Sequence, residues 1–153
     1  MTITQITQNK KQFLSLLLLA DEQEDMIDRY LEKGEMFVLE DDGVKAECVV
    51  TDEGKGILEI KNIATAPESQ GKGYGKKLID FVAQTYRDRF SVLQVGTGDS
   101  PLTIPFYEKC GFKRHHVIKN FFTKNYDHPI FEAGVQLVDM IYLQKPLIEE
   151  EEK

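Results

Sequence analysis

Between a predicted strand ending near Thr65 and a predicted helix beginning near Tyr74 lies the run Gln70-Gly71-Lys72-Gly73-Tyr74-Gly75. Glycines at alternate positions leave no side chain to hold an anionic group away, so the amide N–H groups of the loop can turn inward. The helix that follows adds the positive end of its dipole at the same place. That chemistry suits a diphosphate. An ordinary flexible turn explains any one of these glycines, but not why the loop opens directly onto an amphipathic helix. Two nucleotide fingerprints are excluded. G-x-G-x-x-G would need a glycine where Lys76 stands, and G-x-x-x-x-G-K-[ST] occurs nowhere in the chain.

The order Gln-x-x-Gly-x-Gly, at Gln70, Gly73 and Gly75, resembles the acetyl-CoA loop of the GNAT superfamily of N-acetyltransferases. A second segment, Phe106-Tyr107-Glu108-Lys109-Cys110-Gly111-Phe112, resembles the part of that family where a short helix presents a tyrosine and ends in Gly-Phe. The resemblance implies acetyl-CoA as acetyl donor, with its pyrophosphate held at Gln70, Gly71, Lys72, Gly73, Tyr74, Gly75 and Lys76. It implies that Tyr107 protonates the departing thiolate; the bland alternative is a core tyrosine beside Phe106. It also implies that backbone N–H groups at Ile63, Ala64 and Thr65, on a strand splayed from its neighbour by a bulge, stabilise the developing oxyanion. One departure stands out. Many members contact CoA through an asparagine several residues before the tyrosine, whereas this chain has Asp99 and Ser100 before Pro101. A carboxylate beside a polyanion is unfavourable, so Asp99 is expected to point away and Ser100 or a backbone group to take the contact.

The implied reaction is direct attack of a primary amine, from a small cationic molecule or a peptide, on the thioester in a ternary complex. With a pKa of ~10.4, on the order of one lysine-like amine in a thousand or fewer is neutral at pH 7, so a base is needed. Glu59 is the candidate, because some histone-type members carry a catalytic glutamate at that place; the alternative is a strand residue balancing Lys61. Cys110, beside the helix-stopping Gly111, suits packing rather than acyl transfer. Histidine is a common proton carrier, which draws attention to His115 and His116, but successive strand positions send their rings to opposite faces. Asp127, His128, Glu132 and Asp139 lie in or near an irregular segment that could border an acceptor site, where carboxylates would suit a cationic amine. Solvated loop residues are the default there. The competing reading is a catalytically idle acyl-CoA-binding sensor or interaction module.

Several elements must position these residues. Asn9 and Gln12, then Asp21 and Glu24, read as starts of two short helices, the second stopped at Gly34. Met36–Glu40, Val44–Thr51 and Ile57–Thr65 read as a meander, with Asp41-Asp42-Gly43 as a strong hairpin turn. Leu78, Ile79, Val82, Ala83 and Tyr86 give the helix after the glycine loop its apolar face. Strands at Ser91–Val95, Phe112–Lys119 and Val138–Leu143 and a short helix at Pro105–Cys110 follow. The sum is an α/β (α+β) fold with a mixed, mainly antiparallel central sheet and helices on both faces, and it resembles the GNAT order along nearly the whole chain.

At 153 residues and 41% hydrophobic content the chain fits one domain, taken as residues 1–146, with 147–153 as an acidic solvated tail. A net charge of −7 argues against nucleic acid and mildly favours a cationic partner. No apolar run approaches the ~20 residues that span a bilayer, and no secretory signal opens the chain. Cys48 and Cys110 are far apart and lack metal-site spacing, so a reduced cytoplasmic protein without metal is expected. The apolar final strand is a candidate for pairing across a two-fold axis in a homodimer.

Overall fold

Alternating apolar residues and tight turns build the sheet. In the computed structural model, which describes residues 1–147, β1 (Thr2–Ile6), β2 (Glu35–Glu40), β3 (Val44–Asp52) and β4 (Ile57–Thr65) are antiparallel neighbours. Asp42 and Gly43 take positive φ values of 57° and 100°, as the expected hairpin turn requires. The sheet continues through β5 (Val92–Gly98), β6 (Lys113–Ile118) and the last strand, β9 (Met140–Pro146). Its order is β1-β2-β3-β4-β5-β9-β6, and only β4 and β5 run parallel.

Helices cover both faces, as the sequence pattern predicts. On one, α3 (Tyr74–Tyr86) buries Leu78, Ile79 and Val82 against Cys48, Leu58 and Leu93. On the other, α1 (Leu14–Ala20) and α2 (Glu24–Ile27) bury Leu17 and Ile27 against Met36, Val38 and Val49. Between β5 and β9 come α4 (Ile104–Lys109), α5 (Phe121–Asn125) and a small hairpin of β7 (Phe131–Glu132) and β8 (Val135–Gln136). No helix among the described residues is long and apolar enough to cross a membrane.

The feature that positions the site is a break in the sheet. β4 pairs with β5 only from Ile57 to Ile60, opposite Val92 to Val95. Beyond that, Ile60 faces Val50 while Asn62 faces Val49, so Lys61 is an extra residue bulged out of β4. A bulge bends its strand and ends regular pairing. The two parallel strands therefore part, leaving a wedge between their C-terminal ends.

Several local expectations are corrected. Asn9 is left-handed (φ 52°) and its side chain caps nothing; a 3-10 turn at Lys10–Phe13 comes first. Lys10 is buried, and its ammonium donates to the carbonyls of Leu31 (2.9 Å), Glu32 (3.2 Å) and Gly34 (2.7 Å). Those carbonyls follow α2, so a lysine supplies the donors that the fraying helical turns lack. Asp21 does not start α2 either; it is the C-cap of α1, its N–H bonding to the Leu17 carbonyl at 3.1 Å, and Gln23 holds the N-cap of α2. Leu147, assigned above to the tail, is buried and its N–H bonds to the Ser91 carbonyl at 2.9 Å; the remaining tail residues lie outside the described residues. The final strand is paired on both sides, with β5 and β6, so it offers no edge for the two-fold pairing anticipated from the sequence.

Candidate active site

The glycine loop folds back on the end of β4, where the Gln70 side-chain amide donates to the Thr65 carbonyl at 3.2 Å. Gly71 and Gly73 have φ values of 82° and 85°, a region that side chains other than glycine enter at a cost. Gly73 is the N-cap of α3, and the first bond inside the helix runs from Lys77 N–H to its carbonyl at 3.1 Å. The preceding amides, through Lys76, have no partner within the helix and point beyond its end. This cradle fits a diphosphate. A Cβ added to Gly75 would stand 3.1 Å from Cζ of Phe106, so glycine there lets α4 close against the start of α3. Lys76 pairs with Asp80 at 2.8 Å one turn along, and Lys72 is exposed outside the cleft.

A cleft of about 790 Å³ runs from this loop, through the wedge between β4 and β5, to the loop joining α1 and α2. Gly73, Thr65, Tyr107, Glu132 and Asp21 mark its course. Along β4 the backbone alternates. Ala66 N–H bonds to the Lys45 carbonyl at 2.8 Å, on the β3 side. The same alternation directs Ala64 toward β3 and leaves the N–H groups of Ile63 and Thr65 facing the wedge.

Tyr107 enters the cleft from α4, only 7% exposed, with edge-on contacts to Phe106 (5.2 Å) and Phe112 (5.7 Å) fixing its ring. Burial first, then the negative charge of neighbours that include Glu132, pushes its phenol well above the usual range. A phenol shifted in that direction holds its proton at neutral pH. Glu132 also lines the cleft, and one of its carboxylate oxygens is buried without a hydrogen-bond partner.

Other residues singled out in the sequence lie elsewhere. Glu59 is outside the cleft lining, with one oxygen accepting from Gln94 (2.7 Å) and the other paired with Lys61 (3.0 Å). Ser100 is buried beneath the start of α4, and its hydroxyl accepts from Leu102 N–H at 3.1 Å. Asp99 is exposed and turned to Arg114 at 3.8 Å, as electrostatics predicts. His115 and His116 do not diverge. A bulge at His115 brings their Nδ1 atoms within 2.8 Å, with His116 stacked on Tyr142 away from the cleft. His128 holds Glu22 and Asp127, and Asp139 caps the Asn120 N–H.

Two cleft residues escaped the sequence reading. Asp21 accepts from the hydroxyls of Tyr30 (3.0 Å) and Tyr126 (2.7 Å), and burial raises its carboxyl against the opposing effect of those bonds. Asn62 donates to the Leu17 carbonyl and to the Tyr30 hydroxyl, each at 3.0 Å. Tyr126 is 105 residues from Asp21, so no local pattern could have joined them.

Comparison with known proteins agrees with this geometry. Residues 32–114 match the family model of the acetyltransferase (GNAT) domain. The chain belongs to the GNAT family. It is similar to the uncharacterized N-acetyltransferase YvbK of Bacillus subtilis (strain 168), with 37% identity over 131 residues and 84% of each chain covered. A GNAT family acetyltransferase from Elizabethkingia anophelis, solved with acetyl-CoA bound, superposes with a TM-score of 0.89 at 34% identity, covering 95% of this chain and 97% of that one. The IAA acetyltransferase of Bacillus cereus ATCC 14579 gives 0.88 at 36% identity, covering 95% and 98%. This GNAT chain is an acyltransferase.

Proposed function

We propose that this GNAT enzyme transfers an acetyl group from acetyl-CoA to a primary amine by direct attack while both substrates are bound. The observation that carries this reading is the continuity of one cleft from the α3 N-terminus, through the parted ends of β4 and β5, to Tyr107. Bound acetyl-CoA supplies an activated acetyl thioester. The amides of residues 71–76 hold its pyrophosphate, and Gln70 keeps their loop closed on β4. The N–H groups of Ile63 and Thr65 meet charge developing on the thioester oxygen. Tyr107 gives its proton to the leaving sulfur. Thr103 lines the cleft where Ser100 does not, and takes the polar contact expected of that segment.

The base is Glu132 rather than Glu59. Glu132 lines the cleft and one of its oxygens has no hydrogen-bond partner, while both oxygens of Glu59 are engaged outside it. A general base must reach the proton it removes, and geometry ranks ahead of acidity. Incubating the enzyme with acetyl-CoA and a panel of polyamines, aminoglycosides, amino acids and basic peptides tests the reading. Amine-dependent thiol release with a mass-identified acetylated product is expected. Release no faster than hydrolysis across the whole panel sinks it.

A further inference from the structure

The wall of the cleft beneath the α1–α2 loop is rich in hydrogen-bond acceptors and poor in donors. Asp21 lines it, and each of its oxygens takes one tyrosine hydroxyl. A carboxylate offers about four lone-pair sites, so the two hydroxyls, with the backbone N–H of Gln23 beside them, leave it room for a further donor. Asn62, also lining the cleft and only 2% exposed, has a side-chain oxygen with no partner at all. Its orientation is settled by chemistry. The amide nitrogen must face the Leu17 carbonyl, because a flipped side chain would set two acceptors together. Tyr30 accepts from Asn62 and donates to Asp21, which points the whole relay toward the carboxylate.

Among the described residues no cation answers that charge. Lys61, which also lines the cleft, pairs with Glu59 at 3.0 Å and Glu53 at 3.8 Å. Arg29 donates to Asn125, His128 is held between Asp127 and Glu22, and Lys11 lies between Glu24 and Asp28. Among the described residues Asp21 forms no ion pair. A buried acceptor oxygen on Asn62 and an unpaired carboxylate, joined through the Tyr30 hydroxyl, are satisfied best by a ligand that is all donor, and a primary ammonium brings three N–H groups and one positive charge.

We propose that Asp21 and Asn62 bind a second, protonated amino group of the acceptor, so that the preferred substrate is a diamine or longer polyamine. This rests on the acetyl transfer proposed above and specifies its acceptor. The attacking nitrogen must arrive uncharged beside Tyr107 and Glu132, so the ionic contact at the α1–α2 loop belongs to a different nitrogen of the same molecule.

The test compares 1,4-diaminobutane with n-butylamine at saturating acetyl-CoA. A kcat/KM ratio of about ten or more in favour of the diamine is expected, in line with a charge-assisted contact. Asp21→Asn should bring the ratio to about one, whereas Tyr126→Phe, which keeps the carboxylate, should retain a preference. Equal kcat/KM values for the two amines in the unmodified enzyme overturn the proposal, as does an unchanged ratio in a folded Asp21→Asn variant. If neither amine is acetylated, both are titrated calorimetrically into CoA-saturated protein. Diamine binding that Asp21→Asn abolishes then supports the site while counting against the proposed transfer to these amines. Absence of diamine binding overturns the site itself.

Discussion

The hydroxyl of Tyr74 donates to Asp41 Oδ2 at 2.6 Å and ties the first residue of α3 to the turn between β2 and β3. That bond holds the end of the helix whose amides form the cradle. Tyr74→Phe keeps the ring in place and removes the tether. Acetyl-CoA should then bind roughly three- to tenfold more weakly, a loss of about 1 kcal/mol, since only part of the lost tether's energy reaches the cradle. Calorimetric titration measures it, and an unchanged Kd shows that the cradle holds its shape without Asp41.

Tyr107 reaches the cleft on a short helix wedged by Phe106 and Phe112. Tyr107→Phe leaves this packing intact and removes only the transferable proton. The turnover number should fall about a hundredfold, the usual range for a lost general acid, with little change in acetyl-CoA affinity. Pre-steady-state thiol release separates the two quantities. A variant as fast as the wild type would exclude Tyr107 as the acid.

What could be read from the sequence follows from how local the determining physics is. The glycine loop, the Asp42-Gly43 turn and the apolar face of α3 depend on neighbours a few residues away, and all three stand where their patterns put them. The tyrosine segment belongs to the same class, since Gly111 (φ 98°) ends α4 within its own motif. The acceptor wall depends on long-range meetings. Asp21 looks like a cap because Asp-x-x-Glu is a local code, yet its partners are hydroxyls from beyond α2 and from the end of α5. The histidine pair fails for a related reason. Strand alternation is a rule for regular strands, and one bulged residue at His115 cancels it.

Glu59 and Glu132 make opposite predictions for turnover. Glu59→Gln should lower stability by loosening Lys61, which keeps only Glu53 at 3.8 Å, but leave kcat/KM unmoved. Glu132→Gln should cut kcat by roughly a hundredfold or more while the melting temperature holds. Steady-state rates and thermal melts recorded on both variants with one good amine decide between them. A large loss of kcat in Glu59→Gln with none in Glu132→Gln would return the base role to β4.

Glu47 lies on β3 between Val38 of β2 and Ala64 of β4, fully buried, and neither carboxyl oxygen has a hydrogen-bond partner. Burial alone raises its pKa well above the ordinary 4.5, so the folded protein keeps this group neutral. In the unfolded chain the carboxyl ionises near that ordinary value. Below that pH both states hold the proton and the group costs nothing in ionisation. Above it only the unfolded state releases the proton, so stability is progressively lost as pH rises toward the folded pKa. Glu47→Gln matches the shape of the neutral acid and cannot ionise. Its melting temperature relative to the wild type should therefore improve on going from about pH 4 to about pH 8, by about 3 °C or more. Thermal melts of both proteins across that range check the claim. A difference that does not change with pH would mean that Glu47 ionises alike in both states.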